Sequence, residues 1–146
     1  MEPASVEGET VPGVPRLRAS YVLDAEGAWI AQARHLAAEF LGRARTEDGL
    51  PVPDRVVEIT QLVVSELVTN ARKYAPGPVG LDLRVFGDAV EVVVHDANPE
   101  APRPLNSDPG RVGQHGLEIV MAVAEALHVR QKAGGKSITA RIALSA

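Results

Sequence analysis

The stretch 54–74 holds the residues best placed by type and spacing to do chemistry. Glu66, Asn70 and Lys73 recur four and three apart, which puts them on one stripe of a helix. Val63, Leu67 and Ala71 flank that stripe. A carboxylate among apolar neighbours is suited to taking a proton, and an amide oxygen one turn away is a hard ligand suited to Mg²⁺. Glu66 and Asn70 are therefore a candidate base and a candidate metal ligand. The same spacing also fits an ordinary i, i+4 pair on a wider solvent face, and spacing alone favours that plainer reading. Glu58, Gln61, Ser65, Thr69 and Arg72 form a second stripe, which reads as the solvent face.

Two further positions have chemical potential. Asp96 closes the apolar run Val92-Val93-Val94-His95, where its carboxylate would lie at the rim of a sheet and could accept a hydrogen bond from an amino group such as that of adenine. Asp is equally common as a turn residue. Gly113-Gln114-His115-Gly116 opens an apolar helical stretch. Unpaired backbone N–H groups at a helix start favour anions, and glycines let a phosphate come close. A flexible hinge into a helix would look the same. Arg111 adds charge nearby or is a solvated loop residue.

Other chemistries are excluded or disfavoured. Gly135-Lys136-Ser137 resembles the end of a phosphate-binding P-loop, but that motif needs glycine at position 130, where the chain has Arg130. The alternation of Ile138, Ala140, Ile142 and Leu144 reads as a strand, so Gly134-Gly135 reads as a hairpin turn. His35, His95, His115 and His128 lack the short spacing of a zinc motif and read as structural or surface residues. No Ser-His-Asp order or nucleophile-elbow signature is present.

These residues need elements to position them. Leu17–Leu23 reads as a strand, and Asp24 can cap a helix whose apolar positions include Trp29, Ala33, Leu36, Ala37 and Phe40, ending near Gly42. A break at 49–53 precedes the helix Asp54–Tyr74, stopped by Pro76-Gly77-Pro78. Val79–Phe86 and Ala89–His95 read as strands joined by the two-residue turn Gly87-Asp88. Residues 97–112 hold four prolines, an unusually long loop for a compact domain and of the kind often tied to function. A helix over Gly116–Leu127 and strands near Val129–Lys132 and Ser137–Leu144 complete the pattern. The expected fold is an α/β two-layer sandwich, with a mixed, largely antiparallel sheet and three helices on one face.

The 146 residues suit one domain over 16–146, preceded by a disordered arm over 1–15 that is rich in Pro and Gly. There is no cysteine and aromatics are 3%, so disulfides and thiolate metal sites are excluded and Val, Leu, Ile and Ala must fill the core. The charge of −4, from 15 basic and 19 acidic residues without a basic stripe, disfavours nucleic acid as a direct partner. No apolar run approaches the length of a membrane span, and the first residues lack a signal-peptide pattern. The expected location is the cytoplasm.

Individually weak, these signals occur in a telling order. Glu66-Leu67-Val68-Thr69-Asn70-Ala71, then Asp96 after an apolar strand, then Gly113-x-x-Gly116-Leu117, resemble the N and glycine boxes of Bergerat-fold, histidine-kinase- and gyrase-like ATPases. The resemblance runs from about Ser20 to Leu144 and looks closest to the bacterial anti-sigma-factor branch of serine-protein kinases. It implies an ATP-binding regulator of transcription that phosphorylates an anti-sigma-factor antagonist, with Mg²⁺ as cofactor. The same fold also serves as a catalytically silent ATP- or protein-binding module. By resemblance, Glu66 is the general base and Asn70 holds the metal. Asp96 reads the adenine, and Lys73, Arg111, Gly113, His115, Gly116 and Leu117 surround the nucleotide under a lid formed by 97–112. The resemblance implies a sigma factor and its antagonist as partners, and a possible homodimer. The chain departs from the pattern at Asp96-Ala97-Asn98-Pro99, which has no glycine two residues after the aspartate, and at Gln114-His115, which separates single glycines.

Overall fold

In the computed structural model, the described residues are 14–23, 29–74, 77–96, 114–132 and 134–145. Along the chain they form β1 (Leu17–Leu23), α1 (Trp29–Glu47), α2 (Asp54–Tyr74), β2 (Val79–Val85), β3 (Ala89–Asp96), α3 (Gln114–Val123), β4 (Ala126–Lys132) and β5 (Gly135–Ala143). Most of the expected arm, the Asp24 cap and the whole of the loop 97–112 lie outside the described residues.

The five strands form one sheet in the order β1-β2-β3-β5-β4. Every pairing is antiparallel, which is the antiparallel limit of the sheet expected from sequence. Strand alternation divides each strand between two environments. On β2, Leu81, Leu83 and Val85 are fully buried, as are Val90, Val92 and Val94 on β3 and Ile138, Ala140 and Ile142 on β5. These residues form one core cluster with Phe40 and Leu41 of α1, Val63, Val64, Leu67 and Val68 of α2, and Leu117 and Val120 of α3. The helices therefore cover one face of the sheet, and the polar positions between the apolar ones line the other.

Several boundaries differ from expectation for identifiable reasons. Helix α1 passes through Gly42 and continues to Glu47, because Leu41 and Ala44 are buried against the core. Interior glycine costs only about 1 kcal/mol relative to alanine, less than that burial supplies. The chain instead reverses at Gly49, whose φ of 65° is left-handed, and Leu50 N–H then bonds the Ala44 carbonyl at 3.1 Å. Helix α3 ends at Val123, and Ala126 and Leu127, expected in the helix, belong to β4. There Leu127 pairs with Ala140 across the ladder. The hairpin at Gly87-Asp88 matches the expected turn, closed by the Phe86 N–H to the Ala89 carbonyl at 2.8 Å. Gly134, with φ 82°, turns the chain from β4 into β5.

The stripe expected to face solvent on α2 instead serves packing between α1 and α2. Gln61 Nε2 donates to the Arg34 carbonyl of α1 at 3.0 Å. Ser65 is buried and donates to the Gln61 carbonyl at 2.9 Å. Arg72 stacks over the Trp29 ring at 5.0 Å and bonds the Gly77 carbonyl at 2.9 Å. Of this stripe, Glu58 is exposed.

Candidate functional site

Helix α2 crosses the core between α1 and α3, and its central turns present Glu66 and Asn70 on one side. Asn70 is 1% exposed, and among the described residues neither its amide nitrogen nor its amide oxygen has a hydrogen-bond partner. Most buried polar groups are paired, because leaving one unmade costs about 1–3 kcal/mol. The plainer reading of Asn70 as a surface residue is therefore ruled out. A buried amide with unmet hydrogen-bonding capacity is a reason to look for a ligand. Its oxygen is of the type that Mg²⁺ takes, so the residue fits that cation. Among the described residues there is no cluster of three or more His, Asp or Glu suited to a metal, so most of the remaining coordination would come from phosphates and water, as is usual for Mg²⁺.

Glu66 lies one turn before Asn70 and is half-buried. Its carboxylate packs directly on the first turn of α3: a Cβ placed on Gly116 would lie 2.6 Å from Glu66 Oε1. Real Cβ atoms do not approach an oxygen this closely, so Gly116 is what allows the carboxylate and the start of α3 to meet. The N-terminal end of a helix carries partial positive charge, which favours an anionic group there. Lys73 is exposed at the end of the same stripe, and Leu117 is 2% exposed within the core cluster. Arg111 and Gly113 lie outside the described residues, as does the side chain of His115.

The third constituent is at the end of β3. Asp96 is directly opposite Lys136 of β5, and Lys136 Nζ donates to Asp96 Oδ2 at 2.8 Å. The two side chains are 2% and 1% exposed, respectively. Asp96 is thus a buried, ion-paired acceptor on the helix side of the sheet, in phase with Val94 and Val92. Lys136 is the residue that motif reasoning passed over. The signal was available, since the alternation that makes Ile138, Ala140 and Ile142 core-facing extends back to position 136. The resemblance to a P-loop is rejected by the structure as well, because Lys136 lies in a strand.

The face of the sheet turned away from the described helices holds His95, which hydrogen-bonds Asp82 at 3.0 Å. Burial alone would raise the Asp82 carboxyl, but the hydrogen bonds from His95 and Ser20 and the charges of His95 and Arg84 outweigh it and hold it below its ordinary value. His35 and His128 are exposed.

Residues 23–142 match the family of the histidine kinase-like ATPase domain. Solved structures agree at the level of fold. The RsbU and RsbW domains of Rv1364c from Mycobacterium tuberculosis align with a TM-score of 0.64 at 18% identity, covering 88% of this chain and 32% of that one. The Acinetobacter baumannii histidine kinase AdeS aligns with a TM-score of 0.52 at 12% identity, covering 88% and 68%. The present chain thus spans about a third of the Mycobacterium tuberculosis chain. No curated protein matches it in sequence. Among the described residues no helix is long and apolar enough to cross a membrane.

Proposed function

Because the chain belongs to the histidine kinase-like ATPase domain family, we propose that this ATP-binding regulatory domain is an anti-sigma factor with serine-protein kinase activity, acting in the cytoplasm on an anti-sigma-factor antagonist. The observation that carries the reading is the buried amide of Asn70, without a partner among the described residues, one helical turn from Glu66. In this reading ATP lies between α2, α3 and the end of β3. Asn70 holds Mg²⁺, which when bound supplies positive charge to the phosphate oxygens. Glu66 accepts the proton of the substrate serine hydroxyl, a role that needs hydrogen-bond reach to that oxygen. Gly116 keeps Glu66 against the start of α3. Asp96 accepts from the adenine amino group, with Lys136 holding its other side. Lys73, Arg111, Gly113, His115 and Leu117 border the nucleotide, under a lid formed by 97–112. The partners are a sigma factor and its antagonist, with the chain as a possible homodimer.

One observation favours a second reading. Asp96 already accepts from Lys136 at 2.8 Å, so adenine must share that carboxylate, as would suit a silent ATP- or protein-binding module. Transfer of labelled phosphate from ATP to a candidate antagonist separates the two. The kinase reading expects serine phosphorylation that Glu66→Gln slows by about 10²–10⁴-fold while Mg-ATP binding persists. Binding without transfer to any antagonist that forms a complex with the chain would support the silent module.

A further inference from the structure

The sheet face turned away from the helices carries a feature that the nucleotide cleft does not use. On this face Arg130 is opposite Ser137 and His128 opposite Thr139. On the next strand His95 is opposite Ser137 and Val93 opposite Thr139. Ile138 and Ala140, the alternate residues of β5, are buried against the helices, so strand alternation puts Ser137 and Thr139 on the far side. With Arg84 and Glu91, these residues line a cavity of about 300 Å³. That is the lower end of the range for small-molecule sites. Its floor is buried, with Val93 3% and Ser137 6% exposed although none of the described helices packs on this face.

The charges around the cavity are unevenly satisfied. Glu91 is held by Arg84 at 3.5 Å and Arg141 at 3.2 Å. Arg141 also pairs with Asp88 and Glu125. Asp82, beside the cavity, is held by His95 at 3.0 Å. The carboxylates here are therefore already paired. Arg130 and His128 are exposed and make no ion pair or side-chain hydrogen bond with another described residue. The hydroxyls of Ser137 and Thr139 are likewise uncommitted among the described residues.

We propose that this cavity binds a small phosphate monoester, with the phosphate group held by Arg130, His128, Ser137 and Thr139. Opposed residues of an antiparallel pair have Cβ atoms about 4.5–5.5 Å apart, so the four side chains frame one small patch. A guanidinium fork, an imidazole and two hydroxyls offer more donors than the two oxygens of a carboxylate can use, whereas a phosphate presents three terminal oxygens. The cavity extends beyond this patch along Val93 and His95, leaving room for the organic part of the ester. Asp96 and Lys136 follow and precede His95 and Ser137 in sequence but face the helices, so the thickness of the sheet separates this cavity from the nucleotide cleft. The assignment does not depend on the kinase reading.

The test is a titration of the isotopically labelled full chain with O-phosphoserine as the free amino acid, followed by backbone NMR, with unphosphorylated serine as control. Saturable shifts over 128–130 and 137–139 are expected with phosphoserine only. Arg130→Gln and Thr139→Val alter side chains outside the core, and each should keep the wild-type spectrum elsewhere. Loss of a charge-assisted donor should weaken binding in Arg130→Gln on the order of tenfold to a hundredfold, with a smaller loss in Thr139→Val. Four outcomes would overturn the assignment: no saturable shift, equal shifts with serine, shifts confined to α2 and α3, or unchanged affinity in both variants.

Discussion

Asp96→Ala puts a number on the buried pair at the end of β3. The substitution leaves the Lys136 ammonium, 1% exposed, without the carboxylate it meets at 2.8 Å. Removing one partner of a buried ion pair costs about 3–5 kcal/mol, whereas replacing both with apolar groups is often close to neutral. The entropy of unfolding, about 2.1 cal/mol/K per residue, gives roughly 0.3 kcal/mol/K over 146 residues. The midpoint of Asp96→Ala should therefore fall by about 10–15 °C. Lys136→Met keeps an unbranched chain without the charge, so Asp96→Ala/Lys136→Met should be more stable than Asp96→Ala alone. Urea unfolding of the four proteins measures the coupling directly. Additivity within about 0.5 kcal/mol, the behaviour of independent sites, would refute the pair as an energetic unit.

Three further outcomes are expected. Gly116→Ala would place a Cβ 2.6 Å from Glu66 Oε1; the carboxylate gives way at little cost, so the midpoint should hold within a few degrees while phosphotransfer falls by about tenfold or more, and an unchanged rate would contradict the placement of Glu66. Glu66→Gln should retain Mg-ATP affinity by calorimetry and lose about 10²–10⁴ in phosphotransfer rate, the range of general-base assistance. Asp82 sits below its ordinary value of 3.8 in the fold, so its ionised form contributes stability that is complete above that pH and is lost as pH falls through the lower folded value. The stability gap between wild type and Asp82→Asn should therefore shrink below pH 3.8, and a gap that stays constant through that range would count against the His95 pairing.

Sequence pattern was most informative where periodicity and breakers agreed. The limits of α2 were legible because Asp54 follows a proline and Pro76 follows the last turn, and β1 was legible although Arg18 and Ser20 interrupt it, since both face away from the core. The end of α1 is not legible at Gly42 because glycine is a weak breaker when its neighbours are buried, and the left-handed conformation of Gly49 identifies the turn. The α3–β4 boundary was obscured because Ala126 and Leu127 suit a helix as well as a strand, and pairing with β5 decides between them. At the site, spacing could join Glu66 to Asn70 but could not distinguish a buried amide from an exposed one. That difference depends on what packs around α2. The Asp96–Lys136 pair needed the β3–β5 register, which joins residues 40 apart in sequence.

The most direct test of the account is the thermal midpoint with and without Mg-ATP, for wild type and Asn70→Ala. A ligand at about 100 times its dissociation constant stabilises a fold by roughly 2.7 kcal/mol, which at about 0.3 kcal/mol/K corresponds to a rise of about 9 °C. This rise is expected in wild type only when magnesium is present, and it should be lost in Asn70→Ala. Without nucleotide, that variant should be about as stable as wild type or more so, because a buried amide without a partner among the described residues has been removed. No rise in wild type at saturating Mg-ATP, or an equal rise in Asn70→Ala, would contradict the assignment of Asn70 to a nucleotide site.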